Sequence, residues 1–545
     1  MRIEKRRIGD KEVTPFTIPS GIVSTEVSCL ERMARGIPCL GILTTKSIGP
    51  QPRAGNREPI LAQHMPGGFV NAVGLTNPGA EEFARKLSSV SIPPHKFLLA
   101  SIFGKDAGEF AYVARTLEGC VDGFELNLSC PHAKGYGMQL GQDPQSVHDI
   151  TRAVAQTTRK PVFAKLTPNA GNIGEIARAA VAGGAYGIVA INTVGPGYHL
   201  VDGNPVLTNK VGGLSGRGIA PIGLKCVRDI RQAVGEAVPI IGMGGIRTAK
   251  DVEDYASAGA GFFGIGSALA GMTLSEINSY LFTLGEDIES NGKTNNAERL
   301  LKPVDMSYRR ARVESNIEFA CDYRIIQTDR RELAQPGQFV FAWIPGVGEK
   351  PFSVMDNEPL TLGVLERGEF TKKINSLREG DSFYIRGPYG QGVPIPKNSR
   401  AVLVGGGCGI AALPLIAKSL RQDGTHVLTL LGARDGAHLA YLDKFRECGE
   451  VEVATEDGSV GRRGFVTDLF AGADITDREG DEVFFYNCGP RAMVDAVLPL
   501  ELAVSSPRRI YSSLDYMTRC GVGICGSCAD AKGRRTCVEG PFMNP

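Results

Sequence analysis

The stretch Val238–Ser267, VPIIGMGGIRTAKDVEDYASAGAGFFGIGS, decides the fold of the first half of the chain. It holds two apolar runs, VPIIGM (238–243) and GFFGIG (261–266), and each runs into a glycine turn, GMGGI and GIGS. Such turns offer unhindered backbone N–H groups beyond the strand end, an arrangement suited to a phosphate. Toward the N-terminus further apolar runs recur: CLGIL (39–43), GFVNAV (68–73), FLLASIF (97–103), GFELNL (123–128), PVFAKL (161–166) and GIVAIN (187–192). Amphipathic stretches such as EFARKLSSV and DITRAVAQTT separate most of them. Eight strands alternating with helices predict a parallel (β/α)8 TIM barrel, an α/β fold, with a doubly wound open sheet as the other arrangement of the same alternation.

The strand ends favour the barrel. The first run is followed by Thr44, Thr45 and Lys46, and the second carries Asn71. Asn127, Ser129 and Cys130 close the fourth, Lys165 the fifth, and Asn192 with Thr193 the sixth. Gly244-Gly245 and Gly266-Ser267 follow the last two. Barrel enzymes carry their chemistry at the C-terminal strand ends and hold phosphate after the last two strands. One Asn or Lys alone reads as a solvated loop residue, but polar residues at nearly every strand end form a set. Asparagine amides both donate and accept, which suits a planar ring with alternating N–H and C=O groups. Lys46 and Lys165 supply fixed positive charge. Cys130 lies in the loop NLSCPHAKGYG, where a thiolate can act as a general base.

Length and charge bound the rest. A chain of 545 residues is too long for one core. Lys plus Arg number 60 against 59 Asp plus Glu, a balance that gives no support for a nucleic-acid or anionic-membrane partner. No apolar run is long enough to span a bilayer, and the start MRIEKRRIGD lacks the apolar core of a signal peptide, so a cytoplasmic protein is expected.

The composition shifts at the polar segment 289–306, which reads as a linker. Short strands with turn signals follow (GQFVFAWIP, KPFSVMD, LTLGVLERG, DSFYIRGPYGQGV) and predict a small antiparallel barrel. AVLVGGGCGIAALPLIAKSLRQ (401–422) then reads as strand, glycine turn and helix, the phosphate-binding start of a nucleotide fold. Near the C-terminus Cys520, Cys525, Cys528 and Cys537 have the spacing C-x4-C-x2-C-x8-C. Zinc sites divide into two separated knuckles. Three cysteines in one short loop with a fourth beyond is closer to the plant-type [2Fe–2S] arrangement, with zinc as the other reading of the spacing. Glycines 521, 523 and 526 let the backbone curl and donate N–H groups to cluster sulfurs.

The segments TTKSIGPQPRAGN, NAVGLTNPG, ELNLSCP, AKLTPN, INTVGPG, GGLSGRGIAPI and IIGMGGI together resemble the catalytic subunit of class 1B dihydroorotate dehydrogenase, an FMN barrel. The resemblance implies that Cys130 takes the C5 proton of dihydroorotate while hydride leaves for the flavin. It places Lys46, Asn71, Asn127, Asn192 and Thr193 on the substrate, with backbone at Gly74 and Leu75. It gives FMN the residues Thr45, Lys46, Asn127, Lys165, Ser215, Gly216, Gly244, Gly245, Gly266 and Ser267. His132 stands where many members have Asn, and SCPHAKGYGMQLGQDP also resembles dihydropyrimidine dehydrogenases, so uracil or thymine reduction is the alternative activity.

The second half resembles the electron-transfer subunit of the same enzyme, a relative of ferredoxin reductases. KPFSV matches its flavin motif with Lys350 in place of Arg, which implies FAD at Lys350, Pro351, Phe352, Ser353 and Thr371. Gly405, Gly406, Gly407 and Gly409, with Cys488-Gly489-Pro490, match the pyridine-nucleotide side. Arg434 beside Asp435 leaves NADP open but favours NAD. The implied domains are an FMN barrel (1–295), a linker (296–306), an FAD β-barrel (307–397), an NAD-binding domain (398–510) and a [2Fe–2S] domain (511–545). Electrons would pass from dihydroorotate through FMN, cluster and FAD to NAD, within a homodimer of fused chains.

Overall fold

Eight parallel strands close into a barrel in the first half of the computed structural model, which describes residues 4–128, 140–290, 294–473, 475 and 482–545. They are β1 (Phe16–Ile18), β2 (Leu40–Thr44), β3 (Phe97–Ile102), β4 (Gly123–Asn127), β5 (Val162–Leu166), β6 (Gly187–Ala190), β7 (Ile240–Met243) and β8 (Phe262–Gly264), each beside the next, with β8 closing on β1. β2, β3, β5 and β6 are buried at every residue, as strands covered on both faces must be. Ile42, Phe97, Leu99, Phe163, Val189, Ile241, Met243 and Phe262 cluster with Ile8 and Val13, which come from an N-terminal hairpin.

Two strands differ from the sequence expectation. β1 is three residues between Pro15 and Pro19, too short to stand out as an apolar run. GFVNAV is not a barrel strand. Its residues Gly68–Asn71 pair antiparallel with Leu61–Met65 and with Val211–Gly216, in a four-stranded sheet whose other edge is Val194–Tyr198. The reason is the Pro66-Gly67 turn, whose glycine (φ 70°) reverses the chain into a hairpin. The helices after β7 and β8, Ala249–Ser257 and Leu274–Glu289, start on capping boxes, Thr248 with Asp251 and Thr273 with Glu276.

The chain divides into two compact units: Met1–Asp305 with Val522–Arg535, and Met306–Gly521 with Thr536–Pro545. The second unit opens with a closed antiparallel barrel of β9 (Arg309–Ala320), β10 (Tyr323–Thr328), β11 (Phe339–Ile344), β12 (Gly348–Asn357), β13 (Leu360–Leu365) and β14 (Ser382–Tyr389). It continues with β15 (Arg400–Gly406), β16 (His426–Ala433), β17 (Glu450–Thr455), β18 (Arg462–Arg463), β19 (Val483–Cys488), β20 (Ile510–Ser513) and β21 (Phe542–Met543). These form one sheet in the order β18-β17-β16-β15-β19-β20-β21, parallel except for β21. The strand order reverses at β15, which opens a crevice at its C-terminal end. Both barrels and the α/β class agree with the expectation. Among the described residues no helix is long and apolar enough to cross a membrane.

Candidate functional site

At the C-terminal mouth of the large barrel, polar side chains from several strand ends form a relay. Asn192, two residues past β6, donates through Nδ2 to Asn127 Oδ1 at 3.3 Å. Asn127, the last residue of β4, donates through Nδ2 to Ser47 Oγ at 2.9 Å. Ser47 in turn contacts Ser101 Oγ at 2.9 Å and Ser20 Oγ at 3.1 Å. The Thr193 amide donates to Asn192 Oδ1 at 2.8 Å. Both asparagine amides are thus fixed in orientation before any ligand arrives. Thr45 is turned inward: its hydroxyl donates to Lys46 O and accepts from the Ser101 amide. A Cβ on Gly21 would sit 3.3 Å from Lys46 Nζ, so that glycine gives the ammonium its room.

The four-stranded sheet brings Asn71 opposite Gly213 and Phe69 opposite Ser215. A Cβ on Gly213 would strike Thr193 Oγ1, so Thr193 packs against the same strand. Gly244 (φ 128°) and Gly245 (φ 81°) follow β7 in conformations that L side chains rarely adopt. A Cβ on Gly245 would lie 2.7 Å from Gly216 O, so the glycine turn after β7 touches the end of the Val211–Gly216 strand. The turn leaves no room for a side chain at Gly245, and glycine turns of this kind are the type that offers backbone amides to a phosphate.

After Asn71 the loop passes through Gly74 (φ 80°) and Leu75 (φ 57°). A left-handed leucine costs on the order of 1–3 kcal/mol and persists only where its surroundings impose it. Asn77 does so: its Nδ2 donates to Leu75 O at 2.8 Å, while its Oδ1 accepts from the amides of Gly49 and Gly79. On β5, opposite Asn127, Lys165 is buried and its Nζ lies 3.5 Å from Oε1 of the equally buried Glu125 on β4. Neither Asn77 nor Glu125 was singled out from sequence. A charged residue inside the apolar run GFELNL was the available signal for Glu125. Ser129, Cys130 and His132 lie outside the described residues.

In the second unit Lys350, Pro351, Phe352 and Ser353 lie along β12, paired with Ala342, Phe341, Val340 and Phe339 of β11. Lys350 is exposed, and the Phe352 ring packs 6.2 Å from that of Phe370. Thr371 caps its own helix, Glu369–Asn375, by accepting from the amides of Arg367 and Gly368. Gly405 and Gly406 end β15, and Gly407 (φ 53°) begins the turn. A Cβ on Gly409 would strike the backbone of Cys488 and Gly489, so the two glycine motifs pack directly on each other. Beside them a cleft of about 590 Å³ is lined by Gly406, Gly407, Arg434, His438 and Pro490.

Asp322, from the turn between β9 and β10, accepts from Arg434 Nη2 at 3.2 Å and meets His438 Nε2 at 2.9 Å. Asp435 holds the other ring nitrogen of His438 at 2.6 Å. Burial pulls the His438 pKa down, but hydrogen bonds to Asp435 and Asp322 outweigh it and leave the group above its ordinary value. Asp322 was not read from the sequence, because only the fold brings it to Arg434.

All four tail cysteines are buried, and Gly521, Gly523 and Gly526 between them have φ of 82°, 72° and 78°. Cys525 and Cys528 fall in the segment that belongs to the first unit, Cys520 and Cys537 in the second. Among the described residues no three His, Cys, Asp or Glu side chains gather where one metal ion could sit. A two-iron cluster makes a different demand, since each iron takes only two thiolates. Three buried thiols in one glycine-turned stretch, with a fourth at Cys537 in the helix Thr536–Glu539, are the donor types and spacing that such a cluster takes.

A family model described as dihydroorotate dehydrogenase matches residues 4–281. The dihydroorotate dehydrogenase B (NAD(+)) catalytic subunit of Methanocaldococcus jannaschii is 45% identical over 259 residues, 47% of this chain and 83% of that protein. The corresponding subunit of Pyrococcus horikoshii is 42% identical over 270 residues, 49% of this chain and 86% of that protein. A solved structure described as an NADH-dependent reduced ferredoxin-NADP oxidoreductase is 28% identical, with 43% of this chain and 87% of that chain covered, at a TM-score of 0.39, too low to carry an argument.

Proposed function

The chain belongs to the dihydroorotate dehydrogenase family, and from that premise we propose that it oxidises (S)-dihydroorotate to orotate in pyrimidine synthesis, with NAD as the final acceptor. The observation that carries this reading is the relay Asn192–Asn127–Ser47, a row of pre-oriented amides at the mouth of a barrel whose seventh strand runs into a glycine turn. In this reading Asn71, Asn127, Asn192 and Thr193 hold the pyrimidine ring. Lys46 and the backbone of Gly74 and Leu75 meet its carboxylate, and the Cys130 thiolate removes the C5 proton. Lys165, steadied by Glu125, offsets negative charge that develops beside the flavin ring.

Ser215, Gly216, Gly244, Gly245, Gly266 and Ser267 would hold FMN, and Lys350–Ser353 with Thr371 would hold FAD. Cys520, Cys525, Cys528 and Cys537 would ligate a [2Fe–2S] cluster. When bound, these groups would accept hydride and carry its electrons toward the nucleotide. Gly405–Gly409 would cradle the NAD pyrophosphate in the crevice at the end of β15. A 2′-phosphate would have to compete with Asp322 and Asp435 for Arg434, which favours NAD over NADP. We assign the FMN barrel, FAD barrel, nucleotide fold and cluster segment as successive functional parts of a chain that works as a homodimer.

The test is an anaerobic titration of the iron-loaded protein with dihydroorotate and, separately, with dihydrouracil. Bleaching of the visible bands by dihydroorotate, reversed by NAD, is expected. Bleaching by dihydrouracil alone would overturn the substrate assignment.

A further inference from the structure

Two fully buried tyrosines of the first unit, Tyr255 and Tyr280, send their hydroxyls to the segment that follows β7. A buried phenol hydroxyl is costly unless it finds an acceptor. Tyr255, on the helix Ala249–Ser257, donates to Gly244 O at 2.7 Å. Tyr280, on the helix Leu274–Glu289, donates to Arg247 O at 2.8 Å. Burial raises the pKa of both phenols, so both stay protonated donors at neutral pH. Asp251 takes two amides of the same segment: its Oδ2 accepts from Arg247 N at 2.9 Å and from Thr248 N at 2.8 Å. Residues 244–248 are thus tied at both ends by side chains of the helices that follow. Among the described residues, the Gly245 and Ile246 amides between those ends donate to no backbone carbonyl.

Tyr255 occupies a slot bounded by glycines. A Cβ on Gly223, in the helix Ala220–Val234, would strike its hydroxyl, and one on Gly244 would come within 3.1 Å of it. A Cβ on Gly242, in β7, would lie 2.7 Å from its ring. The hydroxyl therefore sits where the turn and the helix Ala220–Val234 both approach. In a trans peptide unit the N–H points away from the C=O. The Gly244 carbonyl faces Tyr255, so the Gly245 amide of the same unit is turned away from the helix Ala249–Ser257, and the left-handed φ of Gly244 and Gly245 permits this. The peptide unit held by Tyr280 differs in one respect. Its amide is that of Thr248, which is already bonded to Asp251.

We infer that Tyr255 is a positioning residue of the glycine turn: by holding the Gly244 carbonyl toward its own helix, it fixes the direction in which the Gly245 amide donates to the phosphate of a flavin mononucleotide. This rests on the reading of that turn as the FMN phosphate site. Tyr280 is its internal control, a tyrosine equally buried and equally bonded whose carbonyl belongs to a peptide with no amide left to offer.

The experiment takes the full chain freed of FMN, with FAD saturating, and measures dissociation constants for FMN and riboflavin by equilibrium dialysis and chromatography of each flavin. Riboflavin carries the same ring and ribityl chain without the phosphate, so the ratio of the two constants isolates the phosphate contacts. Tyr255→Phe should lower the preference for FMN over riboflavin about tenfold, the order of a weakened hydrogen bond to a charged group. Gly223→Ala, which drives a methyl group into the Tyr255 hydroxyl, should lower it in the same direction and supplies the test if the phenylalanine variant fails to fold. Tyr280→Phe should keep the wild-type preference. An unchanged preference in Tyr255→Phe or Gly223→Ala overturns the inference. So does a Tyr280→Phe protein whose preference falls as far, because general loosening of the turn would then suffice. A wild type that binds riboflavin as tightly as FMN removes the phosphate reading itself, and the inference with it.

Discussion

Asn192 donates to Asn127 across an intervening strand: the two residues lie at the ends of β6 and β4, and Lys165 of β5 stands between those strands in the barrel. The two amides therefore act as one unit. Asn127→Ala removes a donated and an accepted bond, each worth about 1 kcal/mol, with more lost where the partner stays buried. Dihydroorotate-driven flavin reduction should fall about tenfold to a hundredfold. Asn192→Ala should cost a similar factor, and the double variant less than the product, because one interaction is removed twice. Stopped-flow bleaching measures all three, and strict multiplicativity would show the amides to be independent.

Cys130→Ser replaces the proposed base by a hydroxyl that is not ionised at neutral pH. Substrate-driven flavin reduction should fall by about 10²–10⁴-fold, the range of a lost general base. NADH oxidation by an artificial dye should stay near wild type. If both activities fell together, the division into two reaction sites would be wrong.

Two alanines separate the flavins. Gly245→Ala puts a Cβ 2.7 Å from Gly216 O at a residue with φ of 81°, so FMN content should drop while FAD is retained. Gly409→Ala drives a Cβ into the Cys488–Gly489 backbone, so NADH-driven dye reduction should be lost with FMN intact. Chromatography of the released flavins, alongside the dye assay, reads both. Loss of FMN in the Gly409 variant would contradict the assignment.

A buried carboxyl gives the second unit a pH dependence. Glu501, on helix Arg491–Leu502, is pushed up to about 7 by burial, against a hydrogen bond from Asn487 that pulls it down. Below the ordinary carboxylate pKa both folded and unfolded forms are protonated and the group costs nothing. As pH rises toward about 7 the unfolded chain ionises first, so stability falls through that window and stays low above it. Asn487 Oδ1 and Glu501 Oε1 have no hydrogen-bond partner among the described residues. Glu501→Gln gives that side chain an N–H₂ donor and removes the ionisation, so it should stabilise by up to about 3 kcal/mol at about pH 8 and change little at about pH 4. Thermal unfolding at the two pH values checks this, and an unchanged difference between them would refute it.

Much of this was legible in the sequence for a physical reason. A barrel strand presents its last residues at the mouth, so the placement of Asn127, Lys165 and Asn192 could be read by position alone. The glycine turns were legible because φ beyond the reach of a side chain leaves a mark in composition. Phe16–Ile18 was not, since three residues between prolines carry no period, and GFVNAV was misplaced because a hairpin strand and a barrel strand look alike in apolar content. Glu125 and Asp322 were hidden for another reason. Each meets a charge that only long-range pairing brings near, and Asp322 lies more than a hundred residues from the Arg434 it meets.

The segment Val522–Arg535 belongs with residues about five hundred positions earlier in the chain. Thr25 meets Cys525 O, Ser28 meets Asp530 O, and Arg32 meets Gly533 O. A ribosome adding about 5–20 residues per second completes the barrel helices and then needs on the order of ten to forty seconds more before that segment emerges. For that interval the helix Val27–Gly36 waits without its cover. A chain that stops before Val522 would leave Thr25, Ser28 and Arg32 without these carbonyl partners.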